Sequence, residues 1–440
     1  MILTERYNYP LRFYEKSLST LETALATTPA YSDWRVLDPG VDKSINERYD
    51  VMPVLTKQII RDSFPGGLVP NYRDLQAGLD VEEIEYTFTS GTTGDRVINT
   101  WDQKWWDAAE ASAWQLNAHT AHLKHPQPEA KLASSLNVGI SCEEDLPYSS
   151  RLVGHRLYLN EKINLIQWQP RHYQRMVDEL AVFQPVILEA NPSLLARLAY
   201  WIADQGIEVF QPAIIVFTYE FTSVIHKSAI GRVFTAPQIS SYGTTETGFV
   251  LQECEAGLLH QNLDYCRIDY QPLKPEYGGP EIGRILVTTF ENPWNIVVRF
   301  DVGDLIRLYS DSVCPCGRNE GMIVEAVEGR VSNSTFTTNN GLVTTMALDQ
   351  ALAKVPAIRD YNMEQYSRNE YRISVMGDPM SDSPKGTAEL IEATNNVLSA
   401  LYGADGIFQV SVVSNILPGP AGKFRRSQTS FEFDEKGLFE

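Results

Sequence analysis

The order of apolar and polar positions divides the chain into stretches of different character. Residues 1–80 carry apolar side chains at helical spacing, as in YPLRFYEKSLSTLETAL, and lead into the Pro/Gly-rich connection FPGGLVPNY, so mostly helix is expected there. From residue 84 onward, strand-like and helix-like pieces alternate. WDQKWWDAAEASAWQLNA has helical composition and period, and NPSLLARLAYWIADQG reads as a helix capped by Asn191, with Pro192 in its first turn and Gly206 at its exit. The β-rich runs PVILEA and AIIVFTYE flank that helix and predict βαβ units in a buried parallel sheet. RILVTTF and NIVVRFDV, close together, predict an antiparallel or barrel-like addition.

The pattern breaks at AVEGRVSNSTFTTNNG, residues 326–341, which is rich in small polar residues and poor in periodic apolar ones. Beyond it come a strand candidate YRISVMG, an amphipathic helix within GTAELIEATNNVLSALYG, a second strand FQVSVVSNIL and the loop LPGPAGKFRR. The expected fold class is α/β: a large N-terminal domain of mixed sheets with flanking helices over 1–328, and a small mobile α+β domain over 329–440. At 440 residues the chain exceeds what one core usually holds, which agrees with two units.

With 43% hydrophobic and 21% charged residues the composition is globular. The formal net charge of -19 opposes a surface made for nucleic acid or an anionic membrane, so any anionic ligand must be held by local donors. No apolar run is long enough to span a bilayer, and MILTERYNYPLRFYEK lacks the apolar core of a secretory signal, so a cytoplasmic location is expected. Five cysteines are too few and too clustered for a disulfide framework, which directs attention to metal binding. Cys254 and His260 lie six apart, and Cys314 and Cys316 are separated by one proline; Cys₃His is a standard tetrahedral set for structural zinc. Cys266 competes for the fourth place.

Candidate chemistry gathers in small-residue loops. TFTSGTTGDRV, residues 87–97, places five hydroxyl side chains and two glycines in eleven positions, a composition suited either to cradling phosphate with N–H and O–H donors or to a polar turn. It is not a P-loop, because Gly94 follows Gly91 by three and precedes Asp95. SSYGTTETG, residues 240–248, adds Glu246 as a carboxylate for Mg²⁺ and Tyr242 as a flat face for a base. In RFDVGDLIRL, Asp304 can accept from vicinal hydroxyls, and the tail supplies Gly422-Lys423.

The ordered set TSGTTG, YGTTE, a GD preceded by arginine, GR and a C-terminal GK resembles the adenylate-forming superfamily of acyl-CoA synthetases over most of the chain. MPVLTKQIIRDSFP ahead of the first loop and CPCGR before the GR resemble the phenylacetate-CoA ligase branch. The resemblance implies that a carboxylic acid attacks the α-phosphate of ATP to give an acyl-adenylate, and that a second nucleophile, usually coenzyme A, then displaces AMP. It implies that Ser90, Gly91, Thr92, Thr93 and Gly94 hold the β and γ phosphates, with Arg96 replacing the usual lysine's charge. Tyr242 would stack on adenine within Tyr242-Gly243-Thr244, Thr245 would contact the α-phosphate and Glu246 would bind Mg²⁺. Asp304 would hold the ribose, Arg330 would act near the hinge and Lys423 would bridge carboxylate and phosphate. FTYEFTS occupies the place of the family's adenine strand, where Glu220 corresponds. Asn137, Val138, Gly139, Ile140 and Phe217 are candidate walls of a pocket for a flat aromatic acid. Members of this branch that resemble the chain carry zinc on a set like Cys254, His260, Cys314 and Cys316.

Four departures stand out: Asp95-Arg96 in place of Lys-Pro, Val302 in place of threonine, Val331-Ser332-Asn333 after Gly329-Arg330, and TTNNGLVTT in place of the glycine-rich loop that lines the pantetheine tunnel. The last two bear on coenzyme A more than on ATP. They leave open an acceptor that is an amine, a hydroxyl, a carrier-protein thiol or another nucleophile, with a non-catalytic nucleotide-binding protein ranked lower. No nucleic acid or membrane partner is expected, and a homodimer stays open.

Overall fold

The computed structural model describes residues 6–88, 97–123, 126–133, 146–160, 168–419 and 423–439. The N-terminal stretch forms short helices, Leu11–Thr27, Ile45–Asp50, Lys57–Ser63 and Leu75–Asp80. The first buries Phe13, Ser17, Leu21, Ala24 and Leu25 along one stripe. The next three each start on a side-chain acceptor: Ser44 takes the Glu47 N–H, Thr56 that of Ile59 and Asp74 that of Ala77.

The expected βαβ unit is present. Ile187–Ala190 and Ile214–Phe217, buried at every position, pair in parallel, and helix Pro192–Gln205 connects them. The Asn191 side chain accepts from the N–H groups of Ser193 and Leu194, and Gly206 closes the helix at φ 63. Among the described residues twelve strands join in one sheet. Its order runs from Cys266–Pro272 through Ile282–Thr289, Phe300–Leu308, Ile323–Arg330, Leu259–Gln261, Gly248–Glu253, Gln238–Thr244, Ile214–Phe217, Ile187–Ala190, Glu129–Leu132 and Arg156–Tyr158 to Leu152–Val153. Gln238–Thr244 is the joint: it pairs in parallel with Ile214–Phe217 and in antiparallel fashion with Gly248–Glu253. RILVTTF and the end of NIVVRFDV are antiparallel neighbours as expected, but the second strand starts only at Phe300, after Arg299 at φ 51.

A second sheet, in the order Ile407–Val412, Glu370–Gly377, Ile358–Gln365 and Ser427–Thr429, packs against helix Pro384–Tyr402 through a core that includes Leu390, Leu398, Tyr371 and Ile373. Two features differ from the sequence reading. Part of the stretch read as irregular is the strand Ile323–Arg330, whose ladder to Phe300–Leu308 shifts register twice, so its buried positions lose the alternation of a regular strand. The strand Ile358–Gln365 was not expected at all. It buries Asp360 and Gln365 among its inward positions, and these erase the apolar signal. No helix among the described residues is long and apolar enough to cross a membrane.

Asn191→Ala removes the acceptor for two first-turn N–H groups at a fully buried helix start. The expected loss is about 1 kcal/mol of stability, visible as a lower urea midpoint with an unchanged slope.

Candidate nucleotide and acid site

The site grows from the joint strand. At its end the chain turns back through Thr245, Glu246 and Thr247 into Gly248–Glu253, with Thr244 opposite Gly248 and the Thr244 and Thr247 hydroxyls 2.9 Å apart. The turn is possible because two glycines approach closely: a Cβ on Gly243 would lie 2.2 Å from the Gly248 carbonyl oxygen, and Gly248 has φ 68. Glu246 is buried at 4% exposure, and its Oε1 has no hydrogen-bond partner among the described residues. A buried carboxylate oxygen without a donor is costly. A divalent cation such as Mg²⁺ fits that oxygen.

Tyr242 donates its hydroxyl to Asp304 Oδ2 at 2.8 Å, and burial together with the Asp304 charge holds that phenol well above its ordinary pKa. Asp304 Oδ1 lies 3.6 Å from Arg330 Nε, and the backbone registers Asp304 opposite Arg330. Gly329, at φ 101, lets Arg330 follow a strand that a side chain would block against Thr345. Tyr242, Asp304 and Arg330 are thus one chain of contacts drawn from three strands.

Lys423 joins the same group from the far end of the sequence. Burial and the neighbouring Arg330 push its pKa below the ordinary 10.5, while the carboxylates of Glu220, Asp304 and Glu246 oppose that shift. Glu220 accepts from the Phe424 N–H at 3.1 Å and from the Ser193 hydroxyl. The structure therefore brings together Glu220, Tyr242, Glu246, Asp304, Arg330 and Lys423, with Gly243, Thr244 and Thr245 in the adjoining turn. Phe217 is 1% exposed and packs in the core with Leu188, Leu195 and Phe424. Ser90, Gly91, Thr92, Thr93, Gly94 and Arg96, and the acid-pocket candidates Asn137, Val138, Gly139 and Ile140, lie outside the described residues.

Several participants were not visible in the sequence. Ser193, Arg197 and His226 meet Asp360 and Arg426 in a buried polar group beside Glu220. Nothing in the local pattern separates them from ordinary helix or tail residues. A further group surrounds Lys131, which lies 2.7 Å from Glu189 Oε2 and 3.2 Å from Glu129 Oε1, with the Tyr219 hydroxyl donating to Glu189. Burial and the nearby Glu189 push Glu110 up to about 8.

The cysteine set lies on two matching turns. In each, the leading cysteine donates its N–H to the carbonyl four residues on (Cys254 to Leu258, Cys314 to Arg318) and accepts from a glycine N–H three residues on (Gly257, Gly317). Both glycines have positive φ, 82 and 89. Cys254 Sγ is 3.7 Å from Cys314 Sγ, Cys316 Sγ is 3.5 Å from His260 Nε2, and all four ligand atoms lie within 4.8 Å of one another. Tetrahedral Zn–S bonds put sulfurs roughly 3.8 Å apart, so the donors fit a zinc ion. Cys266 is elsewhere, with its thiol against the carbonyls of Val250 and Asn262.

No protein-family model matches the chain. Among curated proteins, Protein CapK of Staphylococcus aureus is 24% identical over 252 residues, 57% of this chain and 54% of CapK, so the chain spans about half the length of that relative. Among solved structures, 2-hydroxyisobutyryl-CoA ligase in its postadenylation state with R3-HIB-AMP aligns with a TM-score of 0.73 at 16% identity, over 99% of this chain and 92% of that one. The fold is that of the adenylate-forming acyl-CoA ligases. The same ligase in its thioesterification state, with 2-HIB-AMP and CoA, aligns at 0.56 and 17% identity over 97% and 92% of the two chains. The anthranilate CoA ligase AuaEII, in complex with anthranoyl-AMP, aligns at 0.54 and 15% identity over 78% and 66%.

Gly243→Ala forces a methyl group into the Gly248 carbonyl. The expected cost is about 1–3 kcal/mol, read as a lower thermal midpoint with the fold retained.

Proposed function

We propose that this chain is an AMP-forming carboxylic acid ligase of the phenylacetate-CoA ligase-like branch, activating an aromatic acid with ATP and passing it to coenzyme A. The observation that supports it most is the meeting of Lys423 with Glu220, Asp304, Glu246 and Arg330, positions spread over some two hundred residues. In the first step a carboxylate oxygen attacks the α-phosphorus of ATP, the α–β P–O bond breaks and pyrophosphate leaves. Two anions must approach each other, so alignment and charge neutralisation are the main tasks. Lys423 bridges the carboxylate and the α-phosphate, Thr245 touches the α-phosphate, Tyr242 faces adenine and Asp304 accepts from the ribose hydroxyls. Ser90, Gly91, Thr92, Thr93, Gly94 and Arg96 hold the outer phosphates, and Arg330 acts at the junction with the small domain, which moves between the two steps. Glu246 holds Mg²⁺, which neutralises phosphate charge when bound. In the second step the acceptor attacks the acyl carbon, the bond to AMP oxygen breaks and AMP leaves.

An amine, hydroxyl or carrier-protein thiol is the second reading of the acceptor. It is favoured by the Val331-Ser332-Asn333 helical turn and the hairpin that pairs Thr335–Phe336 with Leu342–Val343, where the resemblance puts a hinge and a pantetheine-lining loop. ATP–pyrophosphate exchange over a panel of aromatic acids, with and without CoA, tests both: acyl-CoA with AMP release supports the first reading, and exchange indifferent to CoA the second. Lys423→Ala is expected to lower exchange by roughly 10²–10³-fold; unchanged exchange would sink the assignment.

Lys423 acts protonated, and its pKa in the free protein is below 10.5. The ratio kcat/KM for exchange is therefore expected to fall on the alkaline side at a pH below that value. Lys423→Arg, whose guanidinium does not titrate there, removes that limb.

The Cys254, His260, Cys314 and Cys316 set is proposed to hold one structural zinc. Four protein ligands leave no open position for chemistry. Metal analysis is expected to return one zinc per chain, retained in Cys266→Ser and lost in Cys314→Ser together with several degrees of thermal midpoint; a zinc content near zero in the unmodified protein overturns the assignment.

A further inference from the structure

We infer that Ser193, Asp360 and Arg426 are positioning residues for Lys423, forming with Glu220 and Arg197 a dock that fixes the chain on both sides of the lysine loop. The inference rests on the adenylation role proposed for Lys423.

Lys423 opens the short run into strand Ser427–Thr429, and that run is held at two points. One residue after the lysine, the Phe424 N–H donates to Glu220 Oε2 at 3.1 Å. Three residues after it, Arg426 Nη2 donates to Ser193 Oγ at 2.6 Å, and that hydroxyl donates in turn to Glu220 Oε1. Ser193 is in the first turn of helix Pro192–Gln205 and Glu220 follows strand Ile214–Phe217, so one hydrogen-bonded pair of groups grips both the backbone and a side chain of the run.

The approach to the loop is held by the same helix. Arg197, one turn beyond Ser193, donates to Asn415 Oδ1 at 2.5 Å and to the Ile416 carbonyl at 2.6 Å. Asp360 joins the two halves. At 1% exposure it accepts from Arg197 Nη2 at 2.9 Å and from Arg426 Nη1, with His226 Nε2 3.5 Å away. Burial and the adjacent Arg426 hold His226 well below the ordinary histidine pKa, so it is neutral. Arg197 and Arg426 then face the carboxylates of Asp360 and Glu220, and Arg426 also feels the buried Asp349. The Phe424 ring completes the joint, with the Arg197 guanidinium 5.6 Å and the Arg426 guanidinium 5.5 Å from its centre.

Such a network is a weak source of net stability, because desolvating four charges offsets most of their attraction. It is a strong source of direction. A lysine side chain has several rotatable bonds, and its ammonium meets two reacting anions only if the backbone that carries it is fixed. A misplacement of about 1 Å costs roughly 10²-fold in rate. None of the three dock residues has to touch a reactant to have that effect.

The test compares Ser193→Ala, which deletes one oxygen, and Asp360→Asn, each in the full chain with Lys423 and with Lys423→Ala. With Lys423 present, kcat for pyrophosphate exchange is expected to drop roughly 10²-fold with little change in KM for the acid, while transfer from added acyl-adenylate to hydroxylamine is unchanged. In the Lys423→Ala background neither substitution should lower exchange further, since the step it serves is already lost. Losses that multiply in the double variants, or full exchange in both single variants, overturn the dock. A readout without turnover separates this from failure of the ligase reading: the pH midpoint for chemical modification of the Lys423 amine, followed by peptide mass spectrometry. It is expected below 10.5 in the unmodified protein, where Glu220, Asp304, Glu246 and Arg330 face the amine, and closer to 10.5 in both variants. An unmoved midpoint overturns the dock whether or not any acid is activated; an absence of exchange with every acid, together with a moved midpoint, overturns the ligase reading and leaves the dock standing.

Discussion

The strand Gln238–Thr244 is where two kinds of sheet meet, and the placement of the site follows from that joint. On one side its neighbours are parallel, so the ends of Ile187–Ala190, Ile214–Phe217 and Gln238–Thr244 emerge along one edge. Ser193, Glu220 and Tyr242 to Glu246 leave those three ends in turn. On the other side the partner is antiparallel, so the chain must reverse at once, and the close approach of Gly243 and Gly248 makes that reversal tight. A parallel strand there would need a helical crossover, and Glu246 would leave the edge. Adjacent strand ends at such an edge are where α/β sheets gather ligands. Here they gather the groups that receive Lys423.

The electrostatics of that edge are local. A net charge of -19 opposes a broad positive surface, and the cations at the site, Lys423 and Arg330, stand among three carboxylates. Two of those are already engaged. Asp304 accepts from Tyr242, and Glu220 from Ser193 and the Phe424 backbone. Of the three, Glu246 keeps a buried oxygen without a donor among the described residues. The carboxylates therefore differ in their surroundings although they share a neighbourhood: two have donors, and the third has the free oxygen on which the proposed Mg²⁺ role rests.

Elements with self-contained signals were legible in the sequence. Helix Pro192–Gln205 carries its cap, its first-turn proline and its terminal glycine within sixteen residues, and the structure has all three where they were expected. The flanking parallel strands were legible because they are buried at every position and apolar at all but Glu189. The strand Ile323–Arg330 was hidden by two register shifts, which break the alternation of buried and exposed positions so that no period-two rule describes it. The strand Ile358–Gln365 was hidden by Asp360 and Gln365. A buried carboxylate is stable only if partners from elsewhere supply charge and donors, and those partners, Arg197 and Arg426, are 163 and 66 residues away. Local composition carries no trace of that pairing. Glu220, Tyr242, Glu246, Asp304, Arg330 and Lys423 could be named in advance because their order resembles a family pattern; Ser193, Arg197, Asp360 and Arg426, the other members of the proposed dock, gave no such signal.

The run GKFRR shows how far a short basic stretch can mislead. Read alone it is a solvated tail. In the structure Arg425 is exposed and donates to Gln428, whereas Arg426, one residue on, is 3% exposed between Asp360 and Ser193. The difference is a local alternation ahead of the strand: Phe424 and Arg426 are buried, and Arg425 between them is exposed. An extended backbone at this point sends two residues, Phe424 and Arg426, into the same polar joint from one direction, and this is the arrangement that can hold the lysine ahead of them. A helix over the same residues would turn them a hundred degrees apart per step and separate the two anchors. On the role proposed for Lys423, the run that follows it therefore matters as much as the lysine itself.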